Sequence, residues 1–166
     1  MRVAIVGRAG RKEDGPKLSK ELWLKARADA LSKIEAFDVA ELISGGAAWA
    51  DHIAVSLYLG KAVASLTLHL PAEFKNSSFV EIPGKMDPGR TANYYHKLFS
   101  DKMGSSTLRA IQRAIDQGAI IHIHKGFHAR NLEVGKVDLL LAYTFGSGVI
   151  PKDGGTKHCW DNSTAP

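Results

Sequence analysis

Arg130-Asn131 carries the most ligand-directed chemistry in this 166-residue chain. A guanidinium forks onto phosphate oxygens, and the amide beside it reads a ribose or a base edge. The competing reading of Arg130 is an ion pair with Glu133 or Asp138. Ser44-Gly45-Gly46 sits between an apolar run and the small residues leading to Asp51. Two adjacent glycines let backbone N–H groups approach a ligand with no Cβ in the way. A following helix N-terminus offers unpaired donors and a positive dipole end to an anion. Gly154-Gly155-Thr156 has the same anatomy, with the Thr156 hydroxyl as N-cap or phosphate ligand. Gly7-Arg8 adds a second guanidinium, whose alternative is a solvent-facing side chain. Asp51 accepts from a ribose hydroxyl, holds Arg130 or Arg8 in place, or simply complements a helix dipole.

Other reactive residue types give weaker patterns. His122, His124 and His128 are close in sequence, but no cysteine or carboxylate pattern with zinc spacing accompanies them, so no metal site is assigned. Trp49 and Trp160 could stack on a base or pack against a sheet. Tyr94, Tyr95 and Phe99 form a helical stripe suited to a core or a dimer contact. Cys159 stands next to His158, but neighbours on a helix do not face each other, and a structural thiol is the simpler reading.

The elements that must position these residues follow from hydrophobic periodicity. Short apolar runs at Val3–Val6, Val39–Ile43, Ala64–Leu70, Ala119–Ile123 and Val137–Tyr143 predict strands. Helical spacing predicts helices over Leu18–Phe37, Ala47–Leu59, Thr91–Asp101, Ser105–Gln117 and Phe127–Lys136, with a last helix starting near Thr156. Residues 71–90 hold prolines and glycines and predict a long loop or lid. Strands alternating with helices predict a single α/β domain, a Rossmann-like, doubly wound and mainly parallel sheet of about five strands. In such a sheet the Gly7, Gly45, Arg130 and Gly154 segments all fall at the carboxyl edge, where ligands bind.

Composition bounds the class. The formal charge is +5 and 45% of residues are hydrophobic, an ordinary globular balance. Arg8, Arg11, Lys12, Lys17, Lys20, Lys25 and Arg27 concentrate positive charge near the N-terminus, either a solvated helix face or an anion-facing surface. No aromatics are interleaved with them, which disfavours a general single-strand binder. The apolar runs are too short for a membrane span, and MRVAIVG is too short for a signal-peptide core. The one cysteine excludes an intrachain disulfide and points to a reducing, cytoplasmic setting.

The order SGGAAWAD, RN, D-x-x-x-A, GGT resembles the SLOG superfamily of Rossmann-like proteins. Its members include the Lonely Guy phosphoribohydrolases, the DNA-processing protein A domain, and small ligand-sensing proteins of bacteria and phages. The resemblance runs from Gly7 to Thr156 and rests on Gly45, Gly46, Asp51, Arg130, Asn131, Asp138, Gly154, Gly155 and Thr156. It implies a nucleotide or nucleotide-derived ligand, ADP-ribose-like or a cyclic signalling nucleotide, and a homodimer or higher homo-oligomer. The implied role is a sensor or sequestering protein in signalling or defence, without a further cofactor. Two departures weaken a hydrolase reading. Ala48 stands where much of the superfamily has glycine, and Cys159 stands where the Lonely Guy enzymes carry the glutamate of PGGxGTxxE. An N-glycosidic hydrolase or transferase would need its carboxylate from Asp51, Glu133 or Asp161. Single-stranded DNA binding is the third reading that the resemblance implies.

Overall fold

The structure is a computed structural model that describes residues 1–84 and 86–166. Five parallel strands form the central sheet: β1 (Arg2–Gly7), β2 (Glu41–Ser44), β3 (Ser65–Leu70), β6 (Ile120–Ile123) and β7 (Leu139–Tyr143). Their order is β6-β3-β2-β1-β7. The chain steps outward from β1 through β2 and β3 to β6, then returns to the far side of β1 with β7. Right-handed crossovers therefore put the outgoing helices on one face and the returning ones on the other. The first group is α1 (Lys20–Ala36), α2 (His52–Leu59), α3 (Pro88–Met103) and α4 (Thr107–Asp116). The second is α5 (Phe127–Val134) and α6 (Gly154–Asp161), which pack on each other.

Side-chain alternation along each strand divides the core between the two faces. Val3 and Ile5 join Leu42, Leu66, Leu68 and Leu70 beneath α1–α4. Ala4 and Val6 join Ile43, Val134, Val137, Leu140 and Cys159 beneath α5 and α6. Parallel register places Ala4 opposite both Ile43 and Leu140. The doubly wound sheet expected from the sequence is present, and its switch point lies between β1 and β7.

Three local expectations need correction. The second helix begins at His52, not Ala47, because Trp49 holds a φ of +67° that no helix accommodates. This strained residue is fixed by burial: Trp23 Nε1 donates to its carbonyl at 2.9 Å, and its ring lies 4.4 Å from that of Phe99. The 71–90 segment is not one loop. It contains a hairpin, β4 (Phe74–Lys75) and β5 (Ser78–Phe79), and α3 already starts at Pro88. Asn93 fastens the hairpin to α3, its Oδ1 accepting from Phe79 N and its Nδ2 donating to Phe79 O, both at 2.9 Å. The expected lid also spans residue 85, which lies outside the described residues. Finally, α6 starts at Gly154 with Asp153 as N-cap, so Thr156 is not the cap.

Candidate functional site

The carboxyl ends of β1, β2 and β3, the starts of α5 and α6, and residues Val80, Ile82, Met86 and Asp87 line one cleft of ≈ 1370 Å³. Arg130 forms part of its lining, only 7% exposed. It lies in α5, whose packing on α6 and β3 carries its side chain under the β2–α2 turn. Arg130 Nη1 donates to the Gly45 carbonyl at 2.5 Å and pairs with Asp51 Oδ2 at 3.4 Å. Its Nε is buried and has no partner among the described residues. A buried guanidinium donor without an acceptor is costly and calls for an explanation.

Asp51 is 5% exposed. The backbone N–H groups of Ala47, Gly7 and Gly45 face its carboxylate, and with Arg130 they oppose the burial that pushes its pKa up. The donors of the first two loops therefore turn inward onto Asp51. Gly46 is equally committed. Its N–H donates to Ser44 Oγ at 3.1 Å, and its carbonyl accepts from His96 Nε2 at 2.9 Å. Ser44 Oγ donates in turn to the Asp51 carbonyl at 2.8 Å. The β2–α2 turn is a closed hydrogen-bonded unit, not an open anion cradle.

Open donors lie on the opposite wall. Among the described residues, neither α5, with Gly126 at its N-cap, nor α6, with Asp153, has a side-chain cap. The first-turn N–H groups of both helices lack intrahelical acceptors, and their dipoles favour an anion. Asn131 ties the two helices together, donating through Nδ2 to the Gly155 carbonyl at 3.5 Å. His128 and His158 meet there edge to face, ring centroids 4.9 Å apart. The lining also has an apolar part, with Pro71, Val80, Ile82, Tyr95 and Phe127.

No protein-family model and no solved structure matches this chain. It is similar to an uncharacterized protein of Acanthamoeba polyphaga mimivirus, 36% identical over 173 residues, which cover 97% of this chain and 90% of that protein. The chain belongs to the same family as that mimivirus protein.

In this member of the family, the cleft brings together Gly7, Arg8, Gly45, Gly46, Asp51, Arg130, Asn131, Gly154, Gly155 and Thr156. Ser44 lies beneath them, fully buried, as the brace of the turn. Several expected roles change. Arg130 pairs with Asp51 instead of Glu133 or Asp138. Arg8 is not solvent-facing: its guanidinium lies 3.3 Å from Asp14 and pairs with Asp153, while its buried Nε, like that of Arg130, makes no hydrogen bond among the described residues. Glu133 stands apart from the cleft lining, and a hydrogen bond from Lys136 holds its carboxyl below the usual range. Asp161 reaches the cleft but is tied to Lys157 at 2.6 Å. Burial pushes the Cys159 thiol up to about 12, with Asp51 adding to the shift, so no thiolate forms at neutral pH.

The aromatic and basic expectations also shift. Trp49 is buried against Phe99, and Trp160 packs on the α5–α6 core. In the helical stripe Phe99 is core, Tyr94 is exposed and Tyr95 faces the cleft. The basic N-terminal face is partly neutralised: Lys25 pairs with Glu21 at 2.9 Å, and Arg27 Nε donates to Ser56 Oγ. His122 stacks with His69, whose Nδ1 meets His124 Nε2 at 2.9 Å, while His128 lies with His158. Among the described residues, no three His, Cys, Asp or Glu side chains are arranged to hold a metal ion. No helix among them is long and apolar enough to cross a membrane. Arg11, Tyr95, His128 and His158 were read in other roles and Phe127 in none, because only the fold brings them to one edge.

Gly45 explains itself in this geometry. A Cβ there would overlap the Arg130 guanidinium, so the missing side chain makes room for arginine, not for a ligand. Gly45→Ala is expected to displace Arg130 from Asp51 and to cost about 3 kcal/mol, as for a broken buried ion pair. Urea unfolding measures this; a loss under about 1 kcal/mol would mean the pair can relocate cheaply.

Proposed function

We propose that this chain is a SLOG-type protein that binds a nucleotide or nucleotide-derived ligand, as a sensor or sequestering protein. The observation that carries the reading is Arg130. It is a buried guanidinium with a donor unused, lining a cleft flanked by two uncapped helix N-termini. A phosphate or diphosphate at the α5–α6 wall would accept from those N–H groups and from Arg130. The apolar part of the lining would take the base. The Rossmann-like sheet supports the reading, since ligands of such folds sit at the strands' carboxyl edge by the switch point.

Binding without turnover fits the side chains better than hydrolysis does. A glycosidase-like step needs a carboxylate at the scissile bond that moves a proton or stabilises charge. Asp51 is enclosed by backbone donors and Arg130, Glu133 is outside the cleft lining, and Asp161 is held by a lysine.

Incubation with AMP, NAD and ADP-ribose, followed by chromatography and thermal denaturation, tests this reading. The expected result is unchanged ligand and, at 100 times Kd, a Tm rise of about 5–10 °C. Release of a free base or a sugar phosphate would contradict it.

A further inference from the structure

The apolar part of the cleft lining holds a flat group already. Arg11, in the segment after β1, places its Cζ 5.4 Å from the centroid of the Tyr95 ring. The same Cζ lies 5.2 Å from the centroid of Phe127. Tyr95 belongs to α3 and Phe127 to α5, so the rings come from helices on opposite faces of the sheet. Both are half-buried and both line the cleft. Phe127 also lies 5.6 Å from Arg130 Cζ, next to the anchor of the anion wall.

A guanidinium stacks on aromatic rings because it is planar, delocalised and weakly hydrated. A nucleobase shares the first two properties and presents far more π surface. Arg11 is exposed, and its side chain forms no ion pair among the described residues. Exposed cation–π contacts are weaker than base–aromatic stacking. Exchange of the guanidinium for a base is therefore favourable.

We propose that the space between Tyr95 and Phe127 is the base subsite of the cleft, and that Arg11 is a placeholder which the ligand's base displaces. The proposal rests on the nucleotide reading of the cleft and adds what that reading leaves open, the residues that recognise the base. They select for a flat π system between two rings rather than for a hydrogen-bonding edge. Purines, with the larger face, are favoured over pyrimidines.

Calorimetric titration with AMP and with ribose 5-phosphate, the same molecule without its base, tests this on the full chain. The variants are Tyr95→Leu, Phe127→Leu and Arg11→Ala, each checked for an unchanged cooperative thermal transition. The leucines keep apolar volume while removing the π face. Each should weaken AMP about tenfold and change ribose 5-phosphate less than twofold. Arg11→Ala should bind AMP as tightly as the unaltered chain or more tightly. If AMP binds and both leucine variants keep its full advantage over ribose 5-phosphate, the base lies elsewhere and only the subsite is overturned. Weakening of AMP by Arg11→Ala overturns the placeholder role. Failure of the unaltered chain to bind either probe overturns the nucleotide reading and the subsite together.

Discussion

Arg130→Ala is expected to destabilise the protein by about 3–5 kcal/mol and to abolish ligand binding. The stability loss comes from what is left behind. Asp51 would keep its buried carboxylate and the N–H groups of Ala47, Gly7 and Gly45, but lose its only neighbouring cation among the described residues. The Gly45 carbonyl would lose its donor as well. Arg130→Lys separates the two effects. An ammonium keeps a positive charge near Asp51, so a milder loss of stability is expected. It cannot reproduce the planar fork, so ligand affinity should still fall at least tenfold. Urea unfolding and calorimetry on both variants check this. An Arg130→Lys protein that binds at full affinity would show that a point charge suffices.

Acidification is expected to weaken the fold before its surface carboxylates titrate. Burial depresses His52 to about 3, with His96 adding repulsion, and depresses His96 to about 4. Both rings lie within the fold, their centroids 5.8 Å apart. The neutral His96 links two elements. Its Nε2 donates to the Gly46 carbonyl, so its Nδ1 accepts from Thr107 Oγ1 on α4, each at 2.9 Å. The folded pKa lies below the unfolded value of 6.5, so the native state binds fewer protons in this window. The contribution is present in full above about pH 6.5 and is lost as pH falls from there toward 4. With the folded value near 4, His96 alone accounts for about 3 kcal/mol, and His52 acts in the same direction. Urea midpoints at several pH values between 7.5 and 4.5 measure the slope. His96→Gln, which keeps a donor for Gly46 and removes one of the depressed histidines, should reduce the slope and leave the part that His52 contributes. Equal stability of the unaltered chain at pH 7 and pH 5 would contradict the account.

Much of the fold was legible because the sheet strands are short apolar runs, the first three ended by Gly7, Ser44 and Pro71, and the long helices keep their spacing. The hairpin was not, since two-residue strands carry no periodicity. Its signal was the turn itself: Asn76 and Ser77 have φ of 51° and 60°, a pair of positive values that suits a tight two-residue hairpin. The glycine segments and Arg130-Asn131 marked the correct edge of the sheet, but their roles depend on contacts distant in sequence. Arg130 and Asp51 are 79 residues apart, and a search for Arg130's partner among its neighbours finds Glu133 and Asp138 first. Asp138 instead accepts from Arg2 N at 2.7 Å at the other end of the sheet. Gly45-Gly46 suggested an open cradle because sequence does not show that Asp51 folds back onto it. The uncapped starts of α5 and α6 became visible only once the N-cap positions were fixed at Gly126 and Asp153.

Calorimetric titration of the purified chain with AMP, NAD and ADP-ribose, run in parallel on Arg130→Lys, tests the central claim most directly. The account predicts saturable one-to-one binding of at least one of them, weakened at least tenfold in a variant that still unfolds cooperatively. Heats no larger than dilution for all three, from a folded protein at millimolar ligand, would contradict it.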